Sequence, residues 1–159
     1  MNEKSQNNQI IIEKTKFSRV NKVITAYNES SDALKEKMMG AWPLTTKLGM
    51  FHLYVSTTFF SFILPFQIKS YVALSNNQAV GFGYIIHKKY KQEKLLGIFV
   101  REDFQKKGIG HRLLSILLDG EDDVILNVAV TNTNAIRLYE TMGFHTEGTL
   151  QTMRFRRKK

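Results

Sequence analysis

Hydrophobic residues in the first part of the chain recur at a spacing typical of a strand and then of helices. Three isoleucines at positions 10–12 follow a polar start and predict a strand. Residues 20–27 carry apolar side chains at i, i+3, i+4 and i+7, so we expect a helix there with Ser18 as its cap. A second helix through Leu34 is expected to end at Gly40. The predicted order is strand, helix, helix.

The second part of the chain alternates between β-rich runs and helical spacings. Its first two strands are joined by a polar segment containing Asn76 and Asn77, and asparagine is the non-glycine residue that best accepts a positive φ, which predicts a hairpin. The expected elements are strands over 71–74, 79–86 and 95–100, a helix from Gly108 to Asp119, a strand over 124–130, a helix over 135–142 closed by Gly143, and two strands within 144–156.

The order β-α-α-β-β-β-α-β-α-β-β predicts a mixed α/β chain of the α+β class. At 159 residues and 43% hydrophobic content, the chain has the length of one ordinary domain and enough apolar side chains for a sizeable core. We find no internal repeat, linker or low-complexity tract, so residues 1–159 are expected to form a single domain.

Charge and composition narrow the classes of partner. The chain has 23 Lys and Arg against 14 Asp and Glu, a formal +9, which favours nucleotides, nucleic acid or membrane surface. Part of the excess lies in residues 154–159, a cluster that is more often a solvated end than a nucleic-acid site, so no nucleic-acid partner is expected. Because there is no cysteine, we expect no thiolate metal site and no Cys-linked acyl intermediate. No metal cofactor of another kind is expected either. A polar start without a signal peptide's apolar core suggests a cytoplasmic location.

One segment tests that location. Residues 48–68 carry no formal charge, and their length could span a bilayer. The segment is interrupted by polar residues, among them His52 and Gln67, and by Pro65. A buried or groove-lining segment accounts for these interruptions better than a spanning helix does, so no membrane span is expected.

Residues 98–110 leave a strand and begin a helix through a basic turn. The first turn of a helix has backbone N–H groups without intrahelical partners and the positive end of the dipole, so it attracts phosphate. Gly108 and Gly110 leave room for a pyrophosphate, and Lys106 and Lys107 add charge. The turn is neither a P-loop nor the dinucleotide fingerprint, and on its own it is also compatible with an ordinary strand-to-helix turn.

The sequence Gln-Lys-Lys-Gly-Ile-Gly at 105–110 resembles the acetyl-CoA signature of the GCN5-related N-acetyltransferases (GNAT), Arg/Gln-x-x-Gly-x-Gly/Ala. The resemblance implies a central, mostly antiparallel twisted sheet of about seven strands flanked by helices. It also implies that the strand edge at Ile98, Phe99 and Val100 pairs with the pantetheine arm and polarises the thioester carbonyl. The backbone amides that would hold the pyrophosphate are those of Gln105, Lys106, Lys107, Gly108, Ile109 and Gly110.

A second segment is similar to the family's other signature, Asn-x-x-Ala-x-x-x-Tyr-x-x-x-Gly-Phe, with Asn132, Ala135, Tyr139, Gly143 and Phe144 at the right spacing. The resemblance implies that Tyr139 donates a proton or hydrogen bond to the departing thiolate and that Asn132 contacts the coenzyme arm. Considered without the family, Tyr139 is also compatible with a core tyrosine whose hydroxyl is satisfied. Full proton transfer from an ordinary tyrosine to a thiolate is uphill by roughly 2 kcal/mol, so a strong hydrogen bond or a lowered pKa of Tyr139 would suffice.

The sequence does not identify the general base. Some relatives carry a glutamate on the strand before the tyrosine helix, whereas this chain has Asn127 there. An amide cannot take up a proton, so Asn127 is a candidate for orienting substrate or water, or for satisfying a strand edge. No spacing distinguishes the other candidates, which are His87, Glu102, Asp103 and His111.

Together these features predict an acetyl-CoA-dependent N-acetyltransferase that moves acetyl directly to an amine of a small molecule, peptide or protein. Two alternatives remain: a non-catalytic acyl-CoA-binding sensor or partner, and an RNA- or ribosome-associated protein that uses the basic end. By the resemblance, residues 18–68 wall the acceptor site. A homodimer is compatible with such a fold, and the sequence does not decide it. The candidates for an apolar acceptor pocket are Trp42, Phe51, His52, Tyr54, Phe59 and Phe60.

Overall fold

The structure is a computed structural model that describes residues 9–37, 66–88, 93–147 and 152–156. Its elements follow the predicted order and confirm it. They are β1 (Ile11–Lys14), α1 (Phe17–Asn28), α2 (Asp32–Lys37), β2 (Phe66–Ser75), β3 (Gln78–Lys88), β4 (Glu93–Val100), a 3₁₀ turn (Glu102–Phe104), α3 (Ile109–Leu118), β5 (Asp123–Asn127), α4 (Thr133–Thr141), β6 (Phe144–Glu147) and β7 (Thr152–Arg156).

The strands within the described residues form one seven-stranded sheet in the order β1-β2-β3-β4-β5-β7-β6. Neighbours are antiparallel except β4 and β5, which are parallel, so the predicted mostly antiparallel sheet is confirmed. β3 and β4 pair along their length, whereas β4 and β5 share one registered pair, Leu95 with Ile125, among the described residues. The sheet therefore parts beyond this pair.

Alternation along the strands gives the sheet two differently covered faces. Phe82, Tyr84 and Ile86 of β3 lie in one buried cluster with Val20 and Val23 of α1. The opposite face packs against α3 and α4. The sheet is thus the middle layer, with α1 on one face and α3 and α4 on the other.

Local details correct part of the prediction. α1 begins at Phe17, its N-cap is Lys16, and no side chain caps it. The expectation that Ser18 caps this helix is therefore wrong, because Ser18 is already inside the first turn. The hairpin turn is confirmed at Asn76 and Asn77, whose φ values are 48° and 63°. The predicted strand over 124–130 ends earlier, at Asn127.

Several predictions concern residues outside the described ranges. These include the end of the second helix at Gly40, positions 48–65 of the uncharged segment, and the six aromatic and histidine candidates for the acceptor pocket. Positions 66–68 open β2. Within the described ranges, no helix has the length and apolarity needed to cross a membrane.

Candidate functional site

A cavity of about 420 Å³ opens where β4 and β5 part. Its size lies within the range typical of small-molecule sites. The strand β4 contributes residues 96–100, and the end of β5 contributes Asn127 and Val128. The rest of the wall comes from the 3₁₀ turn, the turn before α3, the start of α3, the inner side of α4 and Leu34 of α2.

Almost all of the candidate site residues line this cavity. Lys107 does not, because its side chain lies across the Phe104 ring, with Nζ 4.7 Å from the ring centre. Phe104 itself lines the cavity. The candidates that the fold brings together are Ile98, Phe99, Val100, Gln105, Lys106, Gly108, Ile109, Gly110, Asn127, Asn132 and Tyr139.

The turn before α3 presents backbone donors to the cavity. Gly108 is the N-cap of α3, with φ 74°, and no side chain caps the helix. The first helical hydrogen bond runs from Arg112 N–H to the Gly108 carbonyl oxygen, at 3.0 Å. The N–H groups of Ile109, Gly110 and His111 precede it and have no intrahelical acceptor. This helix start is suited to an anion.

The two glycines of the turn are needed for different reasons. A Cβ at Gly108 would meet nothing within 4 Å, so glycine is favoured there by the positive φ. A Cβ at Gly110 would lie 3.0 Å from Leu138 Cδ2, so its missing side chain lets α3 approach α4. The side chain of Gln105 donates a hydrogen bond from Nε2 to the Val100 carbonyl oxygen at 3.1 Å, which ties the turn to the end of β4.

Asn132 is the N-cap of α4, and its Oδ1 accepts a hydrogen bond from Ala135 N–H at 3.3 Å. This role fits the preference of asparagine for the cap position. The helix carries Tyr139 two turns later, where the ring is only 6% exposed and lies 5.7 Å from the Phe144 ring. Gly143, with φ 89°, lies just beyond the helix end, as expected of its stop.

Burial raises the pKa of Tyr139 well above its ordinary value. The phenol therefore keeps its proton at neutral pH. A lowered pKa, one of the two ways in which Tyr139 could act, is not what this environment produces. Hydrogen-bond donation from an intact hydroxyl is the way that remains.

The fold places only two of the four candidates for a general base at the cavity. Glu102 and His111 line the cavity, whereas Asp103 and His87 do not. Asp103 is paired with Arg101 at 2.9 Å, and His87 Nε2 lies 3.5 Å from a carboxylate oxygen of Glu121. Glu102 accepts a hydrogen bond from the hydroxyl of Ser31, just before α2.

Asn127 is exposed at the end of β5, and its Oδ1 accepts a hydrogen bond from Thr152 Oγ1 at 3.1 Å. This contact joins β5 to β7 at the cavity wall. Within the described ranges, no group of three or more His, Asp or Glu side chains could hold a metal ion.

Some cavity residues were missed by the sequence analysis. Leu34 reaches the cavity from α2, and nothing in its local pattern distinguishes it from a core leucine. Leu96 and Gly97 directly precede the predicted strand edge, so extending that motif toward the N-terminus would have found them. The other unpredicted wall residues are Phe104, Val128, Asn134, Ala135 and Leu138.

Comparison with known proteins gives a family match and several similar folds. The family model described as an acetyltransferase (GNAT) domain matches residues 67–146. No curated protein matches the sequence with significance, and the similar solved structures are at most 20% identical among those compared.

Three solved structures illustrate the likeness in fold. The paia N-acetyltransferase of Thermoplasma acidophilum, in complex with coenzyme A, is 20% identical and has a TM-score of 0.71, with 94% of this chain and 99% of that chain covered. The yncA protein of Salmonella typhimurium, with its cofactor acetyl-CoA, is 16% identical at a TM-score of 0.72, with 96% of each chain covered. A ribosomal-protein-alanine N-acetyltransferase of Brucella melitensis is 18% identical at a TM-score of 0.69, with 92% and 99% covered.

Proposed function

Because the chain belongs to the GNAT family of acetyltransferases, we propose that it binds acetyl-CoA between β4 and β5 and transfers the acetyl group from the thioester directly to an amine. The acceptor is an amine of a small molecule, peptide or protein. One observation carries the proposal: a single cavity extends from the uncapped start of α3 to the buried hydroxyl-bearing Tyr139.

The turn at 105–110 is suited to the pyrophosphate. Three successive N–H groups at the start of α3 lack intrahelical acceptors, and the positive end of the helix dipole adds to their attraction for an anion. Lys106 lines the cavity and supplies a positive charge. The coenzyme complexes of the paia N-acetyltransferase and of yncA, both similar in fold, support this assignment.

The edge of β4 at Ile98, Phe99 and Val100 is suited to the pantetheine arm. Beyond Leu95 this edge has no registered partner on β5 within the described residues. Its backbone amides can therefore pair with the amides of the arm as with an added strand. An N–H group of this edge is also the candidate donor to the thioester oxygen.

In the reaction the lone pair of a neutral amine attacks the thioester carbonyl carbon. The C–N bond forms, the C–S bond breaks, and the electron pair of that bond leaves on sulfur. The nitrogen then gives up one proton to solvent, and the departing thiolate takes up one proton from solvent. Tyr139 stabilises the departing thiolate by donating a hydrogen bond, because its raised pKa opposes complete proton transfer. A lysine-like amine costs roughly 4 kcal/mol to deprotonate near neutral pH, and its proton goes to water or to a base such as Glu102 or His111.

The test is calorimetric titration with acetyl-CoA, followed by a free-thiol release assay over small amines, polyamines and peptides. Binding with thiol release for one class of amine would establish the activity and the acceptor class. Binding without release for every class would favour the non-catalytic acyl-CoA binder. If acetyl-CoA does not bind to the folded protein, the proposal is wrong.

A further inference from the structure

The cavity is lined from both faces of the sheet. Side chains alternate along β4, so Ile98 packs in the cluster with α3 and α4, whereas Phe99 lies in the cluster with α1. Both residues line the cavity. Tyr139 of α4 also lines it from the first face, and Leu34 of α2 lines it from the second. The opening between β4 and β5 therefore has walls on both sides of the sheet.

The features assigned to the coenzyme lie on one of these faces. α3, which begins at the turn proposed for the pyrophosphate, packs through Leu114 and Leu117 in the same cluster as Tyr139. Direct transfer requires the coenzyme and the acceptor to meet at the thioester without occupying the same space. With the coenzyme on the face of α3 and α4, the acceptor reaches the thioester from the face of α1 and α2.

Asn127 faces this acceptor side at the place where β5 parts from β4. Its neighbours Leu126 and Val128 lie in the cluster with Tyr139, so alternation directs the Asn127 side chain to the opposite face. Asn127 is exposed, lines the cavity, and lies two residues beyond Ile125, the residue of β5 that is in register with β4. It is therefore a polar group on the acceptor side of the proposed site of reaction.

A hydrogen bond from β7 fixes the orientation of the Asn127 amide. Asn127 and Thr152 are opposite each other in the β5–β7 register, and Thr152 Oγ1 donates to Asn127 Oδ1 at 3.1 Å. The amide oxygen is thereby engaged, whereas Nδ2 has no hydrogen-bond partner within the described residues. An amide nitrogen carries two N–H donors. Asn127 therefore offers donors to a bound molecule.

We propose that Asn127, oriented by Thr152, selects acceptors in which the carbon that bears the amine also bears a carbonyl group, as in an amino-acid amide or the N-terminus of a peptide. This inference rests on the proposed function. The Nδ2 group donates to the carbonyl oxygen and so directs the amine to the thioester. Thr152 is a positioning residue, because it acts through Asn127.

The short separation of carbonyl and amine follows from the position of Asn127. Its direct neighbours Leu126 and Val128 pack in the cluster of Tyr139, the residue proposed to lie beside the sulfur. An oxygen bound by Asn127 is thus near the reacting nitrogen. An alkylamine or a polyamine does not satisfy the amide donors, because its amino groups are protonated at neutral pH and are themselves donors.

The acidity of such acceptors also suits a site with an amide in place of a carboxylate. Asn127 cannot take up a proton from the amine. An α-amino group has a pKa of about 8, against about 10.4 for a lysine-like amine, so its neutral fraction at pH 7 is roughly two hundredfold larger. An acceptor of this class needs less help from a base.

The experiment measures thiol release from acetyl-CoA with glycinamide and with isobutylamine, which has the same number of non-hydrogen atoms but no carbonyl. The quantity compared is the ratio of kcat/KM for the two amines. The difference in acidity between the amines is the same for every variant, so it cancels when the ratios are compared. The unmodified protein should favour glycinamide.

Asn127→Asp should lower this ratio at least about tenfold without lowering kcat/KM for isobutylamine, because a carboxylate accepts from Thr152 but donates nothing to a carbonyl oxygen. Thr152→Val removes the hydroxyl at nearly the same size and should lower the ratio about threefold. Thr152→Ser should keep the ratio, because the hydroxyl remains. Calorimetry with acetyl-CoA checks that each variant retains the coenzyme site.

Thr146→Val is the matched control. Thr146 is an exposed threonine of the neighbouring strand β6, in register with Met153, which lies in the cluster with Tyr139. Its side chain therefore points to the face opposite that of Thr152 and Asn127. The control should keep the ratio. If Thr152→Val does not fold by circular dichroism, Thr152→Ala takes its place.

An unchanged ratio in Asn127→Asp, an equal fall of kcat/KM for both amines in that variant, or an equal change in Thr146→Val would overturn the inference. So would thiol release by the unmodified protein with alkylamines or polyamines but not with glycinamide. All of these results leave the proposed function in place. Failure of the unmodified protein to bind acetyl-CoA, or to release thiol with any amine, would instead overturn the proposed transfer, and this inference with it.

Discussion

Two helices, α3 and α4, begin at the same cavity but are stabilised in different ways. α3 starts at Gly108 without a side-chain cap, whereas α4 starts at Asn132, whose side chain caps it. α3 buries five apolar side chains, and α4 buries one residue, Tyr139. A side-chain cap commonly contributes about 1 kcal/mol to the stability of a helix. A helix with a large buried face can be stable without this contribution, and its first N–H groups then remain available to a ligand. A helix with a small buried face depends more on the cap for its stability.

The largest expected effect tests the uncapped helix. Gly108→Glu should weaken acetyl-CoA binding at least about a hundredfold, because it puts negative charge at the proposed pyrophosphate site. Calorimetric titration measures the loss.

Gly120→Glu is the matched control, since Gly120 has φ 78°, nothing within 4 Å of a built Cβ, and lies at the other end of α3. It introduces the same strain and charge and should keep the affinity. Normal affinity in a folded Gly108→Glu protein would remove the phosphate site from this turn.

The next effect tests the capped helix. Tyr139→Phe should slow turnover well over tenfold with little change in coenzyme affinity, because it removes only the hydrogen bond to the departing thiolate. Thiol release at saturating amine measures the rate. Tyr27→Phe is the control, since Tyr27 is also 6% exposed and its pKa is also raised by burial, but it lies outside the cavity wall. An unchanged rate for Tyr139→Phe would exclude the hydroxyl from catalysis.

A smaller effect separates the two roles of Asn132. Asn132→Ala should lower the free energy of unfolding by about 1 kcal/mol, through loss of the cap, and should also weaken coenzyme binding. Asn132→Asp should restore the stability, because aspartate caps equally well, but not the affinity, because the amide donor is replaced by a negative charge. Urea unfolding and calorimetry measure the two quantities. Full affinity in both variants would make Asn132 a cap alone.

The smallest effect concerns the far end of α3. Glu121 is 5% exposed and lies near Lys94 and Lys69, with Nζ to carboxylate distances of 3.1 and 3.3 Å. Burial by itself raises the pKa of Glu121, but the hydrogen bonds from the lysines and the charges of Lys94 and His87 outweigh it, so the pKa is lowered. The carboxylate therefore stabilises the fold above its ordinary pKa of 4.5, and this contribution is lost as pH falls through the lowered pKa.

Glu121→Gln should accordingly lower the urea midpoint at pH 7 and flatten the acid-induced loss of stability, without changing coenzyme affinity. Asp122→Asn is the control, because Asp122 is exposed and its ion pair with Lys94, at 2.6 Å, contributes little. An equal effect of the two substitutions would contradict a special role for the buried carboxylate.

The sequence analysis succeeded where the signal is local. The order of elements followed from the spacing of apolar residues, and the turn at Asn76 and Asn77 from their tolerance of positive φ. It failed at Ser18, because several neighbouring residues near a helix start can serve as its cap, and α1 begins at Phe17 with Lys16 at the cap position. The sequence analysis also did not show that glycine is needed at positions 108 and 110 for different reasons, because these depend on the backbone angle and on the neighbouring side chains.

The sequence by itself determined the fold class, the glycine-containing turn at 105–110 and the helix that carries Tyr139. These features depend on residues a few positions apart. The tertiary structure alone decided that β4 and β5 part after Leu95 and Ile125, and that Leu34 reaches the resulting cavity. It also decided that Gly97 accommodates the Tyr84 ring. Such contacts join residues far apart in the chain through packing and strand register, so they cannot be predicted from the spacing of residues close together in the sequence.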